Sequence, residues 1–216
     1  MYGFFANDGS RCYVLNLGID GTLQGDARKG TGLAVLASYD EPAMICAPGY
    51  ISAADQRALV DFAKSAGIIA ILDGPERVAD LKELTDASIV DAAPDGDTGK
   101  PPKPPAPGAA KFSGKPVSDQ AAIYVPWVVM IDPFSGDKVN VPPSGHIAGL
   151  YGFNDSKRGV FKAPANYELA TVIGLSQRFS RAEQGVLNPA GINCIRYFPD
   201  NGIRVWGART LSNDPE

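Results

Sequence analysis

The stretch from Ala43 to Leu72 constrains the fold more than any other. Ala43-Met-Ile-Cys-Ala47 is a short apolar run closed by Pro48-Gly49, the pattern of a buried strand. Ser52 with Asp55 three residues on makes a capping-box-like helix start. Leu59, Phe62, Ala63 and Ala66 then recur at helical spacing on one face. Gly67 ends that helix after about Ala66, and Ile68-Ile-Ala-Ile-Leu72 reads as a second, fully buried strand. Strand, helix, strand in this order implies a right-handed parallel crossover, so part of the protein must be a parallel sheet covered by helices.

The remaining segments extend that unit into an α/β fold, a mixed sheet flanked by helices. Cys12-Tyr-Val-Leu-Asn-Leu17, after the turn signal Asn7-Asp-Gly9, reads as a core strand. Gly21 to Gly32 is a glycine-rich loop, and Leu33-Ala-Val-Leu-Ala37 fits either a helical turn or an edge segment. A second helix is expected over Val78 to Leu84. Residues 91–116 hold the run Pro101-Pro-Lys-Pro-Pro-Ala-Pro107, whose prolines fix φ and supply no amide donors; this is expected to be an exposed Pro-rich surface insertion. Ala122 to Ile131 is a strand, Phe134-Ser-Gly-Asp137 a turn, and Lys138-Val-Asn-Val141 the next strand. Ser144 is expected to cap a helix through about Tyr151, in which Gly145, Ala148, Gly149 and Gly152 permit close approach of another backbone. Ser180 and Glu183 form another capping box. Ile192 to Tyr197 and Ile203 to Ala208 make a hairpin joined by Pro199-Asp-Asn-Gly202.

At 216 residues, 44 % hydrophobic and 20 % charged, the chain is long enough to bury a core as one domain or two small ones, and it is read as a single core domain over residues 1–216. Its net charge of -4 argues against a nucleic-acid partner, which needs clustered Lys and Arg. Cys12, Cys46 and Cys194 lie far apart in apolar contexts and read as reduced, mostly buried thiols. With one histidine and no paired cysteine spacing, no metal site is expected. No apolar run approaches the roughly 20 residues that span a bilayer, and no basic-then-apolar leader opens the chain. The expectation is a soluble protein with no membrane partner and no export signal.

Five motifs in order carry a family resemblance: Ala122-Ile-Tyr-Val-Pro-Trp127, Val141-Pro-Pro-Ser-Gly-His-Ile-Ala-Gly149, Arg158-Gly-Val-Phe-Lys-Ala-Pro-Ala-Asn166, Leu187-Asn-Pro-Ala-Gly-Ile-Asn193 and Gly202-Ile-Arg-Val-Trp-Gly-Ala-Arg-Thr210. Together they resemble the contractile tail sheath proteins of phage tails, pyocins and contractile injection systems. The resemblance implies a structural subunit that polymerises with other sheath subunits into a helical sleeve around an inner tail tube. It also implies contact with a baseplate and a tail terminator, and contraction driven by energy stored in the extended lattice. Assembly in the bacterial cytoplasm and release within a phage tail or injection particle follow from the same likeness. Family members continue beyond both ends of the matching region into arms that add strands to neighbouring subunits. The chain is therefore expected to be a core fragment of a larger subunit, monomeric by itself.

The sheath core is described as subtilisin-like, which makes a hydrolase the rival expectation. Asp73 at a strand end and His146, the sole histidine, are the candidate acid and base. No serine lies in a recognisable nucleophile motif, so Asp73 is expected to open a turn and His146 to be packed or interfacial. Gly99-Lys100 and Gly114-Lys115 fail as phosphate loops. Pro94 and Ala109 stand where the first glycine is required, and proline follows each lysine. Trp127, Trp206, Tyr124 and Phe161 could stack a ligand but are expected to be core; Arg196, Arg204 and Arg209 could reach a neighbour's carboxylates or lie solvated. No residue is assigned a catalytic, cofactor-binding or metal role.

Overall fold

A computed structural model of the chain describes residues 1–18, 22–26, 28–39, 41–85 and 115–212. The elements run α1 (Tyr2–Ala6), a 3₁₀ helix (Gly32–Ser38), β1 (Met44–Cys46), α2 (Ala53–Ala66), β2 (Ile69–Asp73), α3 (Lys82–Thr85) and β3 (Ala121–Val125). They continue with β4 (Val128–Ile131), β5 (Lys138–Val141), α4 (Ser144–Lys157), β6 (Val172–Leu175), α5 (Arg181–Leu187), β7 (Ile192–Phe198) and β8 (Gly202–Trp206).

The main sheet has the order β1-β2-β3-β7-β8. Its first four strands are parallel and β8 closes it antiparallel, which makes the sheet mixed. The crossover through α2 forms as the sequence dictates. Ser52 Oγ accepts the Asp55 amide at 3.2 Å, and Gly67 ends the helix at φ 67°. Leu59, Val60 and Ala63 of α2 pack with Ala70, Leu72, Ile123, Val125, Ile192 and Cys194 on one face of the sheet. The alternate strand residues Ile71, Ala122, Tyr124 and Ile195 pack with Ile147, Ala148 and Leu150 of α4 on the other. Period-2 alternation thus feeds two cores. Fully burying one such aliphatic side chain contributes about 1.5–3 kcal/mol.

The strand expected over Ala122 to Ile131 is instead two strands in two sheets. Pro126 cannot donate a ladder bond, so β3 stops at Val125, while β4 joins β5 and β6 in a small antiparallel sheet of order β5-β4-β6. Trp127, between the two, donates its indole N–H to the Gly74 carbonyl at 3.0 Å.

Other expectations are corrected. Residues 12–17 form no strand: among the described residues no ladder partner pairs with them, so their β propensity goes unused, and Tyr13 and Val14 are exposed. Tyr13 is held from outside, its hydroxyl donating to Glu41 at 2.6 Å, and Cys12 is exposed rather than buried. The helix expected over Val78 to Leu84 is only the short α3. Val78 is held instead by the amide side chain of Gln177, which both accepts from and donates to its backbone, at 2.7 and 3.0 Å. Leu33 to Ala37 lies in the 3₁₀ helix. Helix α4 runs on to Lys157, beyond the expected Tyr151. The Pro-rich insertion at 91–116 lies outside the described residues except Lys115 and Pro116.

Candidate functional site

Asp73 ends β2 with its carboxylate buried at 2 % exposure. Three donors converge on it: the Gly49 amide at 3.1 Å, the Ser144 amide at 2.8 Å and the Ser144 hydroxyl at 2.7 Å. Gln56 on α2, itself buried, donates to the Asp73 carbonyl at 2.9 Å. Ser144 is therefore not the cap of α4. It is the first helical residue, preceded by Pro143, and Asp73 acts as a cap contributed from a distant strand. Burial pushes the Asp73 carboxyl up to about 6, while the three donors pull the other way. The expectation that Asp73 opens a turn is thus replaced by a larger role. The node ties the β1–α2 loop, the end of β2 and the start of α4 together.

His146 lies in the first turn of α4 and is 3 % exposed. Its ring packs on Gly3 of α1 so closely that a Cβ on Gly3 would sit 2.4 Å from Cε1. Nε2 is buried with no hydrogen-bond partner. Burial, with a smaller contribution from the amino terminus, lowers the imidazole to about 4. A triad needs the acid bonded to the base and the base bonded to the nucleophile. Here the acid is bonded to Ser144 and the base to neither, among the described residues. Cys46, beside the same node, is pushed up to about 12 by burial and then by the Asp73 charge, so its thiol stays protonated. The constellation is a packed polar core, with His146 serving as the surface on which α1 sits.

That surface explains one helix glycine and not the others. A Cβ on Gly149 would fall 2.4 Å from the Phe4 carbonyl oxygen, whereas Gly145 and Gly152 have open space. The amide side chain of Asn7 closes the contact, donating to the Gly3 carbonyl at 2.7 Å and accepting the Ala170 amide at 2.9 Å.

The four aromatics of the stacking hypothesis do not come together. Tyr124 and Trp127 are core, but Trp206 is 38 % and Phe161 88 % exposed, against the expectation of core for all four. Arg196 is spent on Gln184 at 2.7 Å, and Arg204 on the carbonyls of Asn201 and Asn166 at 2.7 and 2.9 Å. Lys115 donates to the Ala190 carbonyl, whereas Gly99, Lys100 and Gly114 lie outside the described residues. Among the described residues no group of three His, Cys, Asp or Glu side chains could hold a metal ion, and no helix is long and apolar enough to cross a membrane. What the sequence did not mark is the surface: Phe134 is 98 % exposed and Val160 84 %. A turn motif predicts exposure of Phe134, but no local signal distinguishes an idle aromatic from a docking one.

Residues 31–211 match the family model described as the phage tail sheath protein central domain. The chain is 29 % identical over 181 residues to a protein of Pseudomonas aeruginosa (strain UCBPP-PA14) described as a prophage major tail sheath protein, covering 81 % of this chain and 39 % of that one. Its structure superimposes on the anti-feeding prophage helical sheath in the contracted state with TM-score 0.63 and 29 % identity, over 99 % of this chain and 51 % of the other. The fold is likewise that of the PVC sheath complex of an extracellular contractile injection system, at TM-score 0.66 and 24 % identity over 99 % of this chain and 49 % of that one. The chain spans less than half the length of the curated relative and about half that of the sheath subunits.

Proposed function

The chain belongs to the phage tail sheath family, and on that premise we propose that it is the core of a contractile sheath subunit, built into a helical sleeve around an inner tube that contraction drives forward. The observation that carries this reading is the family match across most of the chain, on a fold that superimposes on about half of a contracted sheath subunit. The described residues support mechanical rather than catalytic work. Two cores sandwich the sheet, and the carboxylate, hydroxyl and imidazole that could do chemistry are buried and used for packing. A rigid body of this kind suits a lattice that switches between two arrangements while its subunits keep their shape.

Neighbouring sheath subunits, the inner tube, a baseplate and a tail terminator are the proposed partners, and the bacterial cytoplasm the proposed place of assembly. Its match to about half of each sheath subunit supports a single core domain within a longer subunit. By itself the core is expected to be monomeric in dilute solution by light scattering; tubes or rings would contradict that. Deleting the coding segment in the producing cells tests the function. Naked tubes lacking a sleeve are expected, and particles with intact, contractile sleeves would refute it.

A further inference from the structure

We propose that the β4–β5 turn of one copy of this chain inserts Phe134 into the basic cleft at the end of α4 of the next copy. This contact rests on the sheath reading and gives it a specific interface. The turn is a rigid knob. Asp132 Oδ1 accepts the Phe134 amide at 2.9 Å, the Asp132 carbonyl accepts the Gly136 amide at 2.8 Å, and Ser135 Oγ accepts the Asp137 amide at 3.2 Å. Phe134 at its tip is 98 % exposed and so touches almost nothing of its own chain. Asp132 and Asp137 stand on either side of Phe134 along the turn and outnumber the one neighbouring cation, Lys138, which leaves the turn net acidic. A single exposed aromatic is common on a protein surface; what points to a partner here is its hold at the tip of a hydrogen-bonded turn together with a complementary cleft.

The complement lies elsewhere on the same molecule. An open cleft of about 570 Å³ is lined by Phe153, Lys157, Arg158, Lys162, Asn166 and Tyr167, among others. It is aromatic and basic. Phe153 and Tyr167 stack edge to face with ring centroids 5.4 Å apart, and Lys162 Nζ lies 4.1 Å over the Tyr167 ring. Lys162 is held by the carbonyls of Ala163 and Ala165 at 2.9 and 3.3 Å. Lys157 and Arg158 are exposed and form no ion pair among the described residues. Val160 and Phe161, next in sequence to the lining residues Arg158 and Lys162, are 84 % and 88 % exposed. An acidic knob with an aromatic tip thus faces, on the next copy, a basic cleft with an aromatic floor, and the charges match in sign.

The contact is heterologous: every inner copy uses both its knob and its cleft, and the copies at the two ends of the row keep one knob and one cleft free. Such pairing propagates as an open helix instead of closing as a two-fold dimer. It is also small, which agrees with a core that stays monomeric when dilute, since stable pairs bury roughly 1,200–2,000 Å².

Position 134 carrying a benzophenone amino acid, in the full 216-residue chain at high concentration and in assembled sheaths, tests the proposal. Irradiation is expected to join position 134 to the peptide 153–167 of another copy and to give a ladder of dimers, trimers and higher species. Adducts mapping to any other segment, a dimer alone, or no adduct in either preparation would overturn the contact. Asp137→Lys is expected to weaken the association about tenfold, and mixing it with an Arg158→Glu chain to restore it; both side chains are exposed, so folding is not at stake. Unchanged association, or no restoration, also counts against it. Sheaths that assemble without the adduct leave the sheath reading standing and remove this interface. The adduct in a protein absent from any sleeve does the opposite.

Discussion

Ser144 gives Asp73 two hydrogen bonds, from its amide at 2.8 Å and its hydroxyl at 2.7 Å, joining residues 71 apart in sequence. This pair seats α4 on the C-terminal end of β2. Ser144→Ala removes the hydroxyl donor and leaves a buried carboxylate short of one partner. The expected cost is about 2 kcal/mol in urea unfolding, within the range for bonds to charged groups. A loss below about 0.5 kcal/mol would mean that the amide alone holds the helix.

Asp73 and His146 should bend the pH dependence of stability in opposite directions. Burial raises the folded Asp73 carboxyl to about 6 against an unfolded value of about 3.9, so its stabilising contribution is complete below pH ~3.9 and lost as pH rises through ~6. Burial lowers folded His146 to about 4 against about 6.5 unfolded, so its contribution is complete above pH ~6.5 and lost as pH falls through ~4. Each is worth on the order of 3 kcal/mol, and the two largely cancel. The unmodified chain should therefore show a shallow profile from pH 4 to 6.5. Asp73→Asn should lose stability on acidification and His146→Gln should gain it. Two variants with the same slope would contradict these assignments.

Three glycines of α4 separate propensity from packing. Alanine is favoured over glycine in a helix interior by about 1 kcal/mol, so Gly145→Ala and Gly152→Ala, which meet open space, should raise the melting temperature slightly. Gly149→Ala should lower it, because its Cβ would lie 2.4 Å from the Phe4 carbonyl oxygen and force α1 away. Equal responses at all three sites would show that α1 is not seated on α4.

No peptide hydrolysis is expected from the purified chain. Asp73 is bonded to Ser144, His146 Nε2 has no partner, and the Cys46 thiol is pushed up to about 12. Turnover of a peptide substrate that vanishes in Ser144→Ala or His146→Gln would reverse this conclusion.

Local rules read the α2 crossover almost to the residue, because Ser52, the apolar spacing and Gly67 act within one helix. The final hairpin and the α5 capping box were legible for the same reason, with Glu183 returning to the Ser180 amide at 2.7 Å. Residues 12–17 misled because strand propensity has no force without a ladder partner. The Asp73 node was half legible: a carboxylate at a strand end is conspicuous, but its donor Ser144 is fixed only by tertiary packing. The break at Pro126 carried a signal in the proline itself, obscured by the apolar residues on both sides. The five motifs indicated the family, whereas the pairing proposed between Phe134 and the cleft beside Phe153 rests on charge and exposure that no local sequence pattern carries.

Antibody labelling of particles before and after contraction tests the account most directly. With antibody against this chain, electron micrographs are expected to show decoration along the whole sleeve, with the decorated length shortening as the sleeve contracts. Label confined to one end of the particle, or on the inner tube left exposed after contraction, would contradict a sheath subunit.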